Sequence, residues 1–134
     1  MAKTIRILIL EDDLGTLAKL FEKLAHLEDG HADKGLMIST VVLSEYQQVE
    51  DLINKSKLDF DVIFLDRDCK AGGSFHILDI EAIGVDKTIS ISSIPQYNEE
   101  ASKRGVKHIV WKDYQKLDDF SDKVIKELEE ILRL

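Results

Sequence analysis

Short apolar runs alternate along the chain with longer amphipathic segments. The runs are rich in Ile, Val, Leu and Phe and lack a clean alternation of apolar with polar residues, which is typical of strands covered on both faces. Five runs predict strands, at residues 5–10, 37–43, 62–65, 88–91 and 109–111. The pattern therefore favours a parallel sheet flanked by helices.

The segments between the runs have helical spacing. Leu14, Leu17, Phe21 and Leu24 recur on one face of a first helix, which we expect Asp13 to cap. The remaining predicted helices follow Ser44, span residues 75–82, extend from about residue 93 to Gly105, and run from Asp118 to the C-terminus. Each predicted strand is thus followed by a predicted helix.

This order of strand then helix, five times over, predicts the fold class. Parallel strands joined by helical crossovers form an open α/β sheet with helices on both faces, here a doubly wound sheet of five strands. The 7 Gly and 1 Pro are too few and too dispersed to form a linker, so we expect a single domain over residues 1–134.

The composition limits the partners. The 18 Lys and Arg against 26 Asp and Glu give a formal net charge of −8, which argues against binding nucleic acid by neutralising phosphates. No apolar stretch approaches the roughly 20 residues that span a bilayer, and the first apolar run is too short for a secretion signal. Cys69 is the only cysteine, so no internal disulfide can form. We expect a cytoplasmic protein that binds proteins or small ligands and does not bind a membrane.

Polar side chains follow four of the predicted strands. Glu11 and Asp12 follow the first strand, Asp66 the third, Ser92 the fourth and Lys112 the fifth. Because open α/β sheets bind ligands outside the carboxyl ends of their strands, we expect these side chains to converge on one shallow pocket. There Lys112 would bind a phosphoryl oxygen as a point charge, and the Ser92 hydroxyl would donate to another.

The three carboxylates of this pocket require a counter-cation. Two carboxylates about 4 Å apart repel each other by roughly 4 kcal/mol at an effective dielectric near 20. Oxygen ligands that retain some water favour Mg²⁺, which also binds phosphoryl groups. Asp12 and Asp66 are the expected direct ligands, Glu11 is expected to act through water, and the backbone carbonyl of Asp68 offers a further oxygen.

Four strings of sequence carry a resemblance to a known family. They are ILILEDD at 7–13, DVIFLD at 61–66, ISISS at 89–93 and GVKHIVWK at 105–112. In this order they resemble the response-regulator receiver domains of two-component signalling systems, over essentially the whole chain. The resemblance implies a stand-alone receiver with the flavodoxin-like (βα)5 fold, a three-layer arrangement whose sheet has the strand order 2-1-3-4-5.

The resemblance also implies a role for each residue of the pocket. Asp66 matches the phosphoacceptor, Glu11 and Asp12 the acidic pair, Ser92 the switch hydroxyl and Lys112 the phosphate-binding lysine. The implied function is Mg²⁺-dependent phosphorylation by a sensor histidine kinase or a phosphotransfer protein. The phosphorylated protein would then present an altered surface to a downstream protein, as a signalling switch and not as an enzyme.

Some positions depart from the family pattern. Cys69 and Lys70 stand where receivers usually have Met-Pro, and Ile109 occupies the position that often holds a switching aromatic. Trp111 is a candidate substitute for that aromatic, although the favoured interpretation is a buried core residue. Residues 28–34 resemble an insertion before the second strand, and we expect a mobile loop there.

Two other functions fit parts of the same sequence. The unusual segment after Asp66 is compatible with a pseudo-receiver that binds a partner and is never phosphorylated. The string FLDRD at 64–68 also resembles the Asp-x-Asp motif of haloacid-dehalogenase-type phosphatases. That motif normally closes the first strand of its fold, whereas here a complete strand ending in Glu11 and Asp12 precedes it.

Overall fold

The computed structural model describes residues 2–55, 59–67 and 84–134. Its strands are β1 (Lys3–Leu10), β2 (Leu36–Leu43), β3 (Val62–Leu65), β4 (Thr88–Ser90) and β5 (His108–Ile109). They form one sheet in the order β2-β1-β3-β4-β5, and every neighbouring pair is parallel. This arrangement confirms the predicted α/β class and strand order, and it places β1 and β3 side by side.

Four helices lie in the described residues. They are α1 (Leu14–Gly30), α2 (Tyr46–Lys55), α3 (Pro95–Lys103) and α4 (Leu117–Leu132). The short helix predicted at residues 75–82 lies outside the described residues. None of the described helices combines the length and the apolar character that a membrane span requires.

The prediction of a loop at residues 28–34 is wrong. The helix α1 continues to Gly30, and a short 3-10 turn at Ala32–Lys34 leads directly into β2. The carboxylate of Glu28 accepts a hydrogen bond of 2.7 Å from the N–H of Ile38. The polar residues that suggested a loop therefore include one that joins the end of α1 to the second strand.

Alternate residues of the strands face two separate apolar cores. Ile7 and Ile9 of β1 lie in a core that α1 and α4 cover. Leu8 and Leu10 lie in a second core on the opposite face, which α2 and α3 cover. Because side chains alternate along a strand, residues two positions apart face the same pair of helices, and adjacent residues face different pairs.

Asp13 caps the first helix, as predicted. Its carboxylate accepts hydrogen bonds from the Thr16 N–H at 2.9 Å and from the Thr16 hydroxyl at 2.6 Å. The cap satisfies an N–H group that has no partner within the helix and adds negative charge at the positive end of the helix dipole. It also sets where the chain turns away from the sheet after β1.

The substitution Asp13→Ala is expected to lower the free energy of unfolding by about 1 kcal/mol, because the first turn of α1 loses its acceptor. Asp13→Ser retains a capping oxygen and should recover most of that loss. Urea denaturation at fixed pH measures both variants. Equal stability of the alanine and serine variants would show that the cap contributes nothing.

Candidate functional site

The hydrogen-bond ladder of the sheet continues past the ends of its strands. The N–H of Asp66 donates to the carbonyl of Leu10 at 2.9 Å, and the N–H of Lys112 donates to the carbonyl of Ser92 at 3.1 Å. The first residue after β3 and the third residue after β5 are therefore still hydrogen-bonded to the neighbouring chain segments of the sheet. This extension brings the polar residues that follow the strands to one edge of the sheet.

Alternation along the strands places three of these residues on the same face. Glu11, Asp66 and Lys112 each come two positions after a residue of the core under α1 and α4. Those core residues are Ile9, Phe64 and Val110. Their side chains therefore leave the sheet toward the same side. The three residues are far apart in the sequence and meet only because of the strand order.

Lys112 is the centre of this cluster. Its ammonium nitrogen Nζ lies 2.9 Å from Asp66 Oδ2 and donates a second hydrogen bond to Glu11 Oε1. The side chains of Lys112 and Glu11 are fully buried, and that of Asp66 is 2% exposed. Such a buried ion pair persists because each charge has a partner in the absence of water.

The second oxygen of Glu11 is also engaged. Glu11 Oε2 accepts hydrogen bonds from the N–H groups of Asp12 and Asp13, at 3.0 and 3.1 Å. The carboxylate thus turns the backbone directly after β1 and orients both of the following acidic residues. One oxygen faces the lysine and the other shapes the loop that carries Asp12.

Burial and the charges of the cluster shift the pKa values of Glu11 and Lys112. Burial, reinforced by the negative charge of Asp66, raises the pKa of Glu11 to about 8, although Lys112 acts in the opposite direction. Burial lowers the pKa of Lys112, but the charges of Glu11 and Asp66 outweigh it, and the net shift is upward. The lysine stays charged at neutral pH, whereas Glu11 retains its proton there when no other cation is bound.

The donor set suits a hard divalent cation. Glu11, Asp12 and Asp66 each offer one carboxylate oxygen, and these atoms all lie within 4.8 Å of one another. Oxygen donors, partial exposure at Asp12 and excess negative charge match the preferences of Mg²⁺. Asp68, whose backbone carbonyl is the remaining predicted ligand, lies outside the described residues.

Ser92 lies at the same edge but is engaged differently. Its carbonyl accepts from the Lys112 N–H, whereas its hydroxyl oxygen accepts a hydrogen bond of 3.1 Å from the N–H of Ile94. Ser92 is fully buried, and it follows Ser90, which faces α3. In this structure the hydroxyl therefore stabilises the turn into α3.

Sequence reasoning missed a buried asparagine behind that turn. The side-chain oxygen of Asn98 accepts from the Ser90 hydroxyl at 2.6 Å and from the Ser92 N–H at 3.3 Å. Its amide group donates to the Ser92 carbonyl at 3.1 Å. A polar residue on the inner face of a predicted helix is the sequence signal that could have identified it.

The interpretation of Trp111 as a core residue is wrong. Its side chain is 55% exposed, and its indole N–H donates to the carbonyl of Ser93 at 3.0 Å. Beside it, the Lys112 ammonium lies 5.4 Å from the centre of the Tyr114 ring. Trp111 lies two positions beyond β5, and by alternation it points away from the face that Val110 and Lys112 occupy.

Comparison with solved structures shows what this fold is similar to. The response regulator protein TrrA from Thermotoga maritima, solved in complex with Mg²⁺ and BeF, matches with a TM-score of 0.55 and 16% identity, covering 95% of this chain and 98% of that one. An orphan response regulator of H. pylori matches with a TM-score of 0.50 and 16% identity, over 92% and 96% of the two chains.

A response regulator in red light signaling of R. palustris matches with a TM-score of 0.50 and 17% identity, covering 93% of this chain and 91% of that one. No family model and no curated protein match the sequence. At these identities the likeness concerns the fold, and the chain has the receiver fold over most of its length.

Mg²⁺ is expected to raise the thermal midpoint of unfolding, because it relieves repulsion among Glu11, Asp12 and Asp66. A ligand at ten times its dissociation constant stabilises the folded state by about 1.4 kcal/mol. Differential scanning fluorimetry across a magnesium series, with a chelator as the starting point, measures the shift.

The substitution Asp12→Ala should abolish most of this stabilisation by removing an exposed ligand. Asp33→Ala, which removes an exposed acidic residue in the 3-10 turn, is the matched control and should retain the full shift. A full magnesium response in Asp12→Ala would contradict the ligand assignment.

The raised pKa of Glu11 predicts a pH-dependent stability in the absence of magnesium. Between pH 4.5 and about 8 the folded state holds a proton on Glu11 that the unfolded state has released, so stability falls as the pH rises through this window. Across the whole window the expected loss is on the order of 5 kcal/mol. Urea denaturation in a chelator at several pH values measures it.

Two variants isolate the source of that dependence. Glu11→Gln removes the titrating group and should flatten the profile across the window. Asp66→Asn keeps Glu11 buried but removes the neighbouring charge, so the slope should become smaller without vanishing. A profile that is unchanged in Glu11→Gln would assign the pH dependence to another group.

Proposed function

We propose that this protein is a phosphoacceptor receiver in which Asp66 takes a phosphoryl group in a magnesium-dependent reaction. The observation that carries the proposal is the bridge that Lys112 makes between Asp66 and Glu11, next to Asp12. A nucleophilic carboxylate, a buried cation and additional oxygen ligands are the groups that phosphoryl transfer needs, since its catalysis consists of positioning and charge neutralisation.

The transfer forms one bond and breaks another. A carboxylate oxygen of Asp66 attacks the phosphorus of a phosphohistidine, and the phosphorus–nitrogen bond breaks. The electron pair returns to the imidazole nitrogen, which takes a proton from solvent. The product is an acyl phosphate on Asp66, and the donor is a histidine kinase or a phosphotransfer protein.

In this proposal Lys112 stabilises the negative charge of the Asp66 carboxylate before transfer and that of the phosphoryl group after it. Its ammonium group contacts the Asp66 carboxylate directly, so it is in place to bind an oxygen of the incoming phosphoryl group. In exchange, the lysine gives up part of its contact with the carboxylates. Its raised pKa keeps the positive charge available throughout.

The acidic residues provide the magnesium site of this proposal. Bound Mg²⁺ would supply positive charge to phosphoryl oxygens during transfer. Asp12 and Asp66 are its proposed direct ligands, Glu11 is proposed to act through water, and the backbone carbonyl of Asp68 stays a prediction. Glu11 has the further task of holding Lys112 in place when the site is free of phosphate.

A surface cavity adjoins the lysine of the buried site. A surface cavity of about 440 Å³ opens beside Lys112, and its wall is formed by Ser93, Trp111, Lys112, Asp113, Tyr114 and Gln115. The exposed aromatic rings in this wall suit the docking of a protein that carries the phosphohistidine. We propose that the donor approaches along this cavity, in the cytoplasm.

The proposed switch begins at Ser92. A phosphoryl group on Asp66 adds charge of about −1.5 to −2 and three strong acceptor oxygens, which compete for the Ser92 hydroxyl. That hydroxyl now accepts from the Ile94 N–H at the start of α3. If it turns to donate to phosphate, the turn into α3 changes, and a downstream protein can distinguish the two states.

Incubation with acetyl phosphate and Mg²⁺ should add a single phosphoryl group, detected by intact-mass spectrometry. The adduct should be absent in Asp66→Asn, because the nucleophile is lost. Asp33→Asn, which changes an exposed acidic residue in the 3-10 turn before β2, is the matched control and should still form the adduct.

The mass measurement and an aryl phosphate hydrolysis assay together separate the alternatives. A pseudo-receiver takes no phosphoryl group under any of these conditions. A phosphatase of the haloacid-dehalogenase type hydrolyses an aryl phosphate over many turnovers with Mg²⁺, whereas a receiver does not sustain such turnover. Either result would overturn the proposed function.

A further inference from the structure

Arg67 directly follows the proposed phosphoacceptor and is buried on the other side of the sheet. Its side chain is only 3% exposed. By alternation it continues the series of Ile63 and Leu65, which lie in the core under α2 and α3. Asp66 and Arg67 therefore project from adjacent positions into opposite halves of the molecule.

The guanidinium group of Arg67 contacts two residues of α3. Its central carbon lies 4.6 Å from the centre of the Tyr97 ring, a cation–π distance, and its Nη1 lies 2.9 Å from Glu100 Oε2. Tyr97 and Glu100 are three positions apart and lie one above the other on the same side of the helix. One buried cation thus joins the end of β3 to the middle of α3.

The contacts of Arg67 with α3 leave part of its hydrogen-bonding capacity unused within the described residues. An arginine this deeply buried needs partners for its charge, because removing an unpaired charge from water is strongly unfavourable. Among the described residues, Nε has no hydrogen-bond partner, and the Nη1 contact with Glu100 is an ion pair without hydrogen-bond alignment. Within the part of the chain that the structure describes, the guanidinium thus retains donors that another acceptor can engage.

We infer that Arg67 is a positioning residue that couples the state of Asp66 to the position of α3. The inference deepens the proposed function and rests on it, since phosphorylation is the event that the coupling transmits. Arg67 takes no part in the phosphoryl transfer itself. Its role is to convert a change of charge at the end of β3 into a movement of the helix.

The physical basis is competition for one cation. Phosphorylation places a doubly charged group on the residue adjacent to Arg67, within a poorly solvated region. The added charge attracts the guanidinium and weakens its pairing with Glu100, whose side chain is half exposed and can be rehydrated. Tyr97 is released together with it, since both contacts are made by the same group.

The second attachment of α3 responds to the same site. Asn98 lies next to Tyr97 on this helix and holds Ser90 and Ser92 at the end of β4. The helix is therefore attached at two polar points, one after β3 and one after β4. A change at Asp66 that reaches both points would move α3 as a unit.

Amide hydrogen exchange of residues 95–103, with and without acetyl phosphate and Mg²⁺, tests the coupling. In the unaltered protein we expect phosphorylation to change the exchange rate of α3 by about fivefold or more, the range of typical allosteric couplings. In Arg67→Gln the adduct should form to the same extent by intact mass, but the change in exchange should be lost. This combination distinguishes a coupling residue from one that merely stabilises the fold.

A second pair of variants avoids the buried position. Glu100→Gln, at a half-exposed site, should weaken the response while leaving the adduct intact. Glu99→Gln on the same helix removes only an exposed pair with Lys103 and should keep the full response. A full response in both Arg67→Gln and Glu100→Gln would overturn the inference.

A failure of the proposed function is recognised separately, by the absence of an adduct in the unaltered protein. In that case the coupling is measured with Asp66→Asn, which changes the charge next to Arg67 without phosphate. The exchange of α3 should then respond to Asp66→Asn in the parent but not in the Arg67→Gln background. Equal responses in the two backgrounds would overturn the inference on its own.

Discussion

One buried lysine cation shared by carboxylates from two other strands is the interaction on which the rest of the site depends. Lys112 follows β5, Glu11 follows β1 and Asp66 follows β3, and all three side chains are removed from water. Burying such charges is tolerated only when each has a partner at hydrogen-bond distance. The order of the strands, the face of the sheet on which each residue lies and the turn after β1 together bring the three side chains within that distance.

The same alternation gives the end of β3 two separate sets of polar contacts. Asp66 faces Lys112 on one side of the sheet, and Arg67 faces Tyr97 and Glu100 of α3 on the other. Two adjacent residues of opposite charge thus belong to two different polar clusters. A parallel sheet covered on both faces makes this possible, because neighbouring side chains cannot share a face.

Most of the site was predictable because its parts are local and its chemistry is unusual. Acidic, hydroxyl and basic residues directly after apolar runs predicted a polar edge, and Asp13 was identified as a cap from its position alone. The errors arose where tertiary packing decides. Trp111 is large and apolar and was interpreted as core, yet it lies beyond the end of β5 with its side chain 55% exposed. Residues 28–34 looked like a loop, although Glu28 is helical and binds the backbone of β2.

The sequence by itself determined the alternation of strands and helices, the polar residues at the strand ends and the excess of negative charge among them, because these follow from spacing and residue type. Only the tertiary structure decided that Lys112 bridges Glu11 and Asp66, that the Ser92 hydroxyl is engaged by the turn into α3, and that Arg67 is buried against that helix. The physical reason is that distance between side chains far apart in the chain depends on strand order and on which face each side chain occupies.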